Sequence, residues 1–339
     1  MFLGKSKVSE AEARPAESQP TRGPRHPALA WVWRHHHALV GLVLLGVAGL
    51  AIAQIAERFD FDEVIAHLRG LPWQTVVQAV VLSIVGYLVL TGYDLSALIY
   101  LKLRVPYRTV AFASFAGYAI SNNVGWAVIS GGSVRYRVYS AAGLSAGDIA
   151  RIVVFSTTTF TLGFTATGGL SLLLGPGSAA MLVGVPEWAI QLLAGLTLAG
   201  LAALTIMVAV THRPVRVWRW TFALPSTGLM LAQIVISAVE LMLAGGVLYL
   251  LMPNHGVSFP EFLGIYTAAL VLGIVSHVPG GIGVFETVLL LGLSERGSVS
   301  GMLAALLAYR AIYYILPLFI AGIMMALWEW RARRGRRAG

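Results

Sequence analysis

Long apolar runs alternate with short polar segments along most of this chain. Runs of membrane-spanning length predict helices over about 36–56, 73–101, 148–174, 187–210, 226–251 and 300–330. Two further apolar runs, over 110–143 and 259–293, each contain a pair of adjacent glycines. The pattern predicts an all-α polytopic membrane protein with about six full transmembrane helices.

Composition supports this class and narrows the function. Hydrophobic residues make up 57% of the chain and charged residues only 12%, whereas soluble domains carry roughly 25% charged residues. The net charge of +9 is spread over tails and short loops, so we expect membrane orientation and no nucleic-acid partner. The absence of cysteine excludes disulfides, thiolate catalysis and Cys-ligated zinc. The cluster His35 to His37 lies beside Trp31 and is interpreted as interfacial, so no metal or cofactor is expected.

Charge also predicts how the chain is divided and oriented. Residues 1–30 are predicted as a disordered cytoplasmic tail, 31–330 as one transmembrane domain and 331–339 as a basic cytoplasmic tail. Lysine and arginine around 102–108 and 213–219 mark two cytoplasmic loops. Both termini are therefore predicted to be cytoplasmic.

The two predicted cytoplasmic loops limit how many times the chain can cross the membrane between them. Three apolar segments lie between them, although two loops on one side require an even number of crossings. We therefore expect 110–143 to form a re-entrant hairpin with its tip at Gly131 and Gly132, and 259–293 to form a second hairpin from the opposite face. The segments then form an inverted repeat, about 36–174 and about 187–330, which is the architecture of secondary transporters.

The stretch SHVPGGIGVFE in the second hairpin is predicted to break its helix. Pro279 has no N–H to donate, and Gly280 and Gly281 allow a sharp turn before a new helix begins near Ile282. Broken backbone at membrane depth is tolerated only where protein or water satisfies it. The free N–H groups of the new helix favour an anion. This stretch is therefore predicted to be part of a binding site.

Charged residues inside apolar helices mark the other candidate positions. Asp94, Glu240 and Arg310 each cost at least roughly 2.5–3.5 kcal/mol on insertion scales, so they should face inward and pair. With Arg135 and the helix start at 280–283, Arg310 is predicted to bind a phosphate group. Two alternatives stay open: Arg310 as part of a structural ion pair, and Glu286 as a helix cap. The predicted substrate-binding residues are Asp94, Gly131, Gly132, Arg135, Glu240, Gly280, Gly281, Glu286 and Arg310.

These motifs resemble a known family. The Asp94 helix, SGGSVRYRVY, the Glu240 helix, VPGGIGVFE and YRAIYY are similar to the lysylphosphatidylglycerol synthase transmembrane-region family, the flippase-like part of bacterial multiple peptide resistance factors. The resemblance covers about 73–314. It implies transport of a phospholipid or modified lipid, such as an aminoacyl phospholipid, between leaflets of the bacterial inner membrane. It also implies roles for Asp94, Arg135, Glu240 and Arg310, whose positions match.

The sequence departs from the resistance factors at its end. It stops after RARRGRRAG without a soluble acyltransferase domain, so we expect a separate partner enzyme, a lipid synthase or a glycosyltransferase. The chain itself is expected not to be an enzyme, and His277 with Glu286 is the one faint candidate for an intramembrane transferase. A non-transporting subunit or scaffold of a lipid-modifying enzyme is the other alternative. An oligomer is compatible with the sequence.

The topology can be tested by labelling. Single cysteines placed at Ser133 and Ser294, against a background that contains no cysteine, should react with an impermeant maleimide from opposite sides of the membrane. Reaction of both from the same side would contradict the inverted repeat.

Overall fold

The computed structural model describes residues 61–124, 127–211, 215–217, 220–222, 226–253, 256–276, 278–293 and 298–337. The predicted tail 1–30, the predicted first crossing at 36–56 and the histidine cluster lie outside these residues. So do His277 and Ser294.

The described residues are almost entirely helical. The α-helices are α1 Phe61–Arg69, α2 Trp73–Leu101, α3 Tyr107–Val124, α4 Ala127–Ala141, α5 Ala146–Leu174, α6 Gly177–Val183, α7 Glu187–Thr211, α8 Thr227–Leu251, α9 Phe259–Val275, α10 Val284–Gly292, α11 Val299–Tyr309 and α12 Leu316–Arg337. A 3₁₀ turn, Pro279–Gly281, lies before α10, and a π-helical segment, Arg310–Ile315, joins α11 to α12. Two short antiparallel strands, β1 Val215–Val217 and β2 Trp220–Phe222, form a ribbon between α7 and α8.

Five helical stretches in the described residues are long and apolar enough to cross a membrane. They are α2, α5, most of α7 (Glu187–Met207), α8 and the continuous stretch Val299–Arg331. These coincide with the predicted crossings after the first, and α9 is a shorter apolar helix. The chain is therefore an all-α polytopic membrane protein, as the hydrophobic pattern predicts.

Serine side chains start several of these helices. Ser145, Ser226, Ser258 and Ser298 each accept a hydrogen bond from a backbone N–H in the first turn of the following helix. A cap of this kind satisfies one of the N–H groups that an α-helix leaves without an intrahelical partner. The capping serines therefore fix where α5, α8, α9 and α11 begin.

Glycines bring the central helices close together. An ideal Cβ built on Gly163 of α5 would lie 2.1 Å from Cβ of Ser237 on α8, and one on Gly168 would lie 2.5 Å from Cγ2 of Thr267 on α9. Real side-chain atoms do not approach this closely, so α5 can pack on α8 and α9 only where these residues lack a side chain. Small residues at helix crossings are the usual solution in membranes, where close packing replaces the hydrophobic effect.

The prediction that Gly131 and Gly132 form the tip of the first hairpin is wrong. Both glycines lie inside α4, and the chain passes from α3 to α4 at residues 125–126, outside the described part. An ideal Cβ on Gly131 would lie 3.0 Å from the carbonyl oxygen of Gly117 on α3. Gly131 therefore allows the two limbs of the hairpin to pack closely, and does not break the helix.

The crossing of α5 and α8 predicts a sharp effect of one methyl group. Gly163→Ala should lower the midpoint of thermal unfolding in detergent, by the equivalent of about 1–3 kcal/mol, because the crossing is overpacked. Gly195→Ala on α7 is the matched control, since its Cβ would meet nothing within 4 Å. Adding Ser237→Gly to Gly163→Ala should restore part of the loss. Equal stability of the two alanine variants would contradict the close crossing.

Candidate functional site

The first element of the site is a buried ion pair between α2 and α4. Nε of Arg135 donates to both carboxylate oxygens of Asp94, at 3.1 and 2.9 Å, and Asp94 is 0% exposed. The hydroxyl of Tyr139 donates to the same carboxylate at 2.9 Å. The guanidinium lies over the ring of Tyr118, 4.5 Å from its centroid. Arg137, the other arginine of the motif, is exposed and pairs with Glu329.

Glycines make room for this guanidinium. An ideal Cβ on Gly117 or on Gly131 would lie 3.1 Å from one terminal nitrogen of Arg135. The arginine therefore passes between the limbs of the α3–α4 hairpin to reach Asp94 on α2. Gly132, by contrast, would meet only ordinary contacts, the nearest being Val153 at 3.8 Å.

The second element is the break before α10. Gly280, Gly281 and Gly283 have φ of 61°, 63° and 85°, a region that residues with a side chain rarely adopt. The helix therefore breaks at the predicted motif. Because Gly283 also turns to positive φ, α10 begins at Val284, two residues after the predicted start near Ile282.

A second ion pair holds this break. Nε of Arg310 donates to Oε1 of Glu286 at 2.7 Å, and one terminal nitrogen donates to the carbonyl oxygen of Gly280 at 2.7 Å. Oε2 of Glu286 accepts from the backbone N–H of Gly283 at 2.8 Å. Both alternatives left open by the sequence therefore describe real contacts: Glu286 caps α10, and Arg310 forms an ion pair with it.

The last turn of α3 lies against this break. An ideal Cβ on Gly280 would lie 3.2 Å from the carbonyl oxygen of Asn123, in the last turn of α3. The Asn123 amide donates to the carbonyl oxygen of Tyr314 at 3.1 Å. The end of α3, the break before α10 and the π-helical segment therefore form one contact region.

Glu240 differs from Asp94 and from the partly buried Glu286 in the group that it contacts. It lies on α8 with 7% of its surface exposed and accepts a hydrogen bond from the hydroxyl of Tyr313 at 3.1 Å. Within the described part of the chain, no lysine, arginine or histidine forms an ion pair with it. Asp94 and Glu286 each form an ion pair with an arginine, whereas the carboxyl group of Glu240 accepts a hydrogen bond from a tyrosine hydroxyl.

Several buried polar atoms near these acids have no hydrogen-bond partner among the described residues. They include one terminal nitrogen each of Arg135 and Arg310, and both amide atoms of Gln233. Gln233 lies seven residues before Glu240 and therefore on the same face of α8. Such atoms in an apolar bundle are costly, and they can bind a polar group of a ligand.

The predicted phosphate site is only partly assembled. Arg135 and Arg310, which were expected to share one phosphate, each bind a different carboxylate, Asp94 and Glu286. The residues that the sequence interpretation missed are Gly117, Gln233 and the tyrosines that hold the acids. A signal for the tyrosines was present, because Tyr139 and Tyr313 follow Arg135 and Arg310 by four and three residues, which places each pair on one helix face.

The contrast between Asp94 and Glu240 predicts different effects on stability. Asp94→Asn leaves the buried Arg135 without its counter-charge and should destabilise the protein by about 3–5 kcal/mol. Glu240→Gln strands no arginine and should cost less than about 1.5 kcal/mol. Thermal unfolding of both variants in detergent measures the difference, and Asp94→Asn with Arg135→Gln should recover part of the loss. Equal destabilisation by the two single variants would contradict the assignment.

Comparison with known proteins places these motifs in a family. The chain matches the family described as "Lysylphosphatidylglycerol synthase TM region" over residues 38–321. It is 35% identical to an uncharacterized protein of Synechocystis sp. over 301 residues, covering 88% of this chain and 94% of that protein. It is 33% identical to the inner membrane protein YbhN of Escherichia coli over 284 residues, covering 83% and 88%.

The chain also has a shorter match to a phosphatidylglycerol lysyltransferase. Phosphatidylglycerol lysyltransferase of Staphylococcus epidermidis is 45% identical over 93 residues, which is 26% of this chain and 11% of that enzyme. The family match spans most of the chain, and both long matches cover more than four fifths of it. The chain therefore belongs to the lysylphosphatidylglycerol synthase transmembrane-region family.

Proposed function

We propose that this protein translocates a lipid with a polar headgroup between the leaflets of the bacterial inner membrane. The substrate is a phospholipid or a modified lipid, such as an aminoacyl phospholipid, made by a separate lipid synthase or glycosyltransferase. Membership of the family supports the proposal, as does the match to a protein named for lysine transfer to phosphatidylglycerol. The chain acts as a transporter, and the chemistry on the lipid belongs to the partner enzyme.

Glu240 is the observation that carries the proposal. Glu240 is buried on a helix able to cross a membrane, and none of the described residues gives its carboxyl group a cationic partner. Among these residues it therefore stabilises nothing by charge pairing. Intramembrane acids of this kind typically lie on substrate or ion pathways. An ammonium or hydroxyl group of a lipid headgroup would supply the missing partner of Glu240.

The two arginines supply the complementary half of the site. Each keeps one buried terminal nitrogen without a partner among the described residues, and a guanidinium binds phosphate by charge-assisted hydrogen bonds. The other terminal nitrogen of Arg310 donates to the carbonyl oxygen of Gly280. The guanidinium therefore lies at a break in the backbone, and irregular structure at membrane depth marks transporter binding sites. A headgroup phosphate at Arg310 or Arg135, with its amine or hydroxyl group at Glu240, satisfies both kinds of polar atom.

An inverted repeat accounts for how access would alternate. The helices of Asp94 and Glu240 occupy corresponding positions in the two proposed repeats, and hairpins 110–143 and 259–293 enter from opposite faces. Their contact at Asn123 and Gly280 is then the midplane meeting point, with both termini in the cytoplasm. Rocking of one repeat against the other would expose the buried acids to each leaflet in turn.

A transport assay tests the role of Glu240. The protein is reconstituted in liposomes with a fluorescent phospholipid, and transfer between leaflets is followed by chemical quenching of the outer leaflet. Glu240→Gln should slow transfer by about tenfold or more. This factor corresponds to the free energy lost with one charge-assisted hydrogen bond. Glu187→Gln, at an exposed acid in the first turn of α7, is the matched control.

The outcomes separate the alternatives. Transfer by Glu240→Gln at the wild-type rate would make Glu240 a packing residue. Failure of the wild-type protein to exceed empty liposomes with any lipid offered would favour a non-transporting subunit of a lipid-modifying enzyme.

A further inference from the structure

A pocket of about 320 Å³ opens between the start of α3, the end of α4 and the last turns of α12. None of the central charged residues Asp94, Glu240, Glu286 and Arg310 lines it. Its walls are apolar apart from one guanidinium and one hydroxyl group, and the main lining residues are Phe112, Val138, Ala141, Trp328, Arg108 and Thr109.

Arg108 gives this pocket a free positive charge. Its side chain is exposed and forms no ion pair within the described part of the chain. The nearby acid on α12, Glu329, is already paired with Arg137. Among the residues that the structure describes, no carboxylate pairs with the guanidinium that this pocket presents.

The surroundings of the pocket are also basic. Lys102 and Arg104 are exposed in the loop that leads into α3, and Arg334 lies over the ring of Trp330, 3.8 Å from its centroid. Positive charge of this density is typical of the cytoplasmic end of a membrane protein, where the facing leaflet is rich in anionic lipid. The tryptophans in the last turns of α12 are typical of the same interfacial level.

We propose that this pocket binds an anionic phospholipid, with its phosphate at Arg108 and the start of its acyl chains along Phe112, Val138 and Trp328. The volume lies at the lower end of ligand pockets, which suits a phosphate and glycerol unit whose chains continue into the bilayer. A zwitterionic headgroup would bring a second positive charge towards Arg108 and would bind less well. This lipid site is separate from the proposed transport site.

Occupancy of the pocket would hold three helices together. Its walls come from α3, α4 and α12, and α4 also carries Arg135, one turn before Val138. A ligand that binds the folded state stabilises it by mass action. The bound lipid is therefore expected to raise thermal stability and to fix the end of the helix that carries the central ion pair.

Native mass spectrometry of the full chain in neutral detergent tests the site. The probes are phosphatidylglycerol, phosphatidylcholine and inorganic phosphate, titrated separately against the protein. Wild type should retain one phosphatidylglycerol more tightly than phosphatidylcholine and should not retain inorganic phosphate. Arg108→Gln should weaken phosphatidylglycerol binding on the order of tenfold.

Two further variants locate the binding. Ala141→Phe fills the pocket without changing its charge and should weaken binding as Arg108→Gln does. Arg104→Gln removes an equal charge from the neighbouring loop and should retain wild-type binding.

Four results would overturn the proposal. Equal loss with Arg104→Gln would indicate diffuse surface charge, and equal retention of phosphatidylcholine would indicate no recognition of an anion. Retention of inorganic phosphate as tight as that of the lipid would make this a site for free phosphate. Loss with Arg310→Gln and not with Arg108→Gln would place the lipid at the central site.

Discussion

The burial of charge in an apolar bundle is the constraint on which the rest of this structure depends. Asp94 and Arg135 lie on helices far apart in sequence, and neither could remain at its position without the other. Their pairing ties α2 to the α3–α4 hairpin and requires Gly117 and Gly131, which leave space for the guanidinium. The hydroxyl of Tyr139 then satisfies the carboxylate further. Five residues on three helices thus serve one electrostatic requirement.

The second centre meets the same requirement in a different way. Arg310 pairs with Glu286 and also donates to the carbonyl oxygen of Gly280, so one side chain satisfies both a partly buried acid and a broken backbone. Asp94 forms an ion pair with an arginine, whereas the carboxyl group of Glu240 accepts a hydrogen bond from the hydroxyl of Tyr313. The two buried acids therefore lie in different electrostatic environments within one apolar bundle.

The sequence predicted the membrane class and the later crossings because hydropathy depends on length and composition alone. It predicted the break at Pro279 to Gly281 because proline there cannot continue a helix. It failed at Gly131 and Gly132, since a pair of glycines can either break a helix or allow a close crossing, and only the partner helix decides. The partners of Asp94 and Glu286 were not predicted, because they depend on the rotation of each helix about its axis. The repeat, the hairpin depth and the orientation of the termini remain predictions.

The π-helical segment Arg310–Ile315 changes the direction in which nearby tyrosine side chains point. In an α-helix each added residue turns the chain by about 100°, and a wider turn delays that rotation. Tyr309 points to the hydroxyl of Tyr266 at 2.7 Å, while Tyr313 reaches Glu240 on another helix. The wider turn therefore sets the rotation of α12 relative to α11 about their common helix axis. Because of this local change in helical pitch, side chains of one continuous helix contact two neighbouring helices. In a uniform α-helix the same side chains would point in different directions.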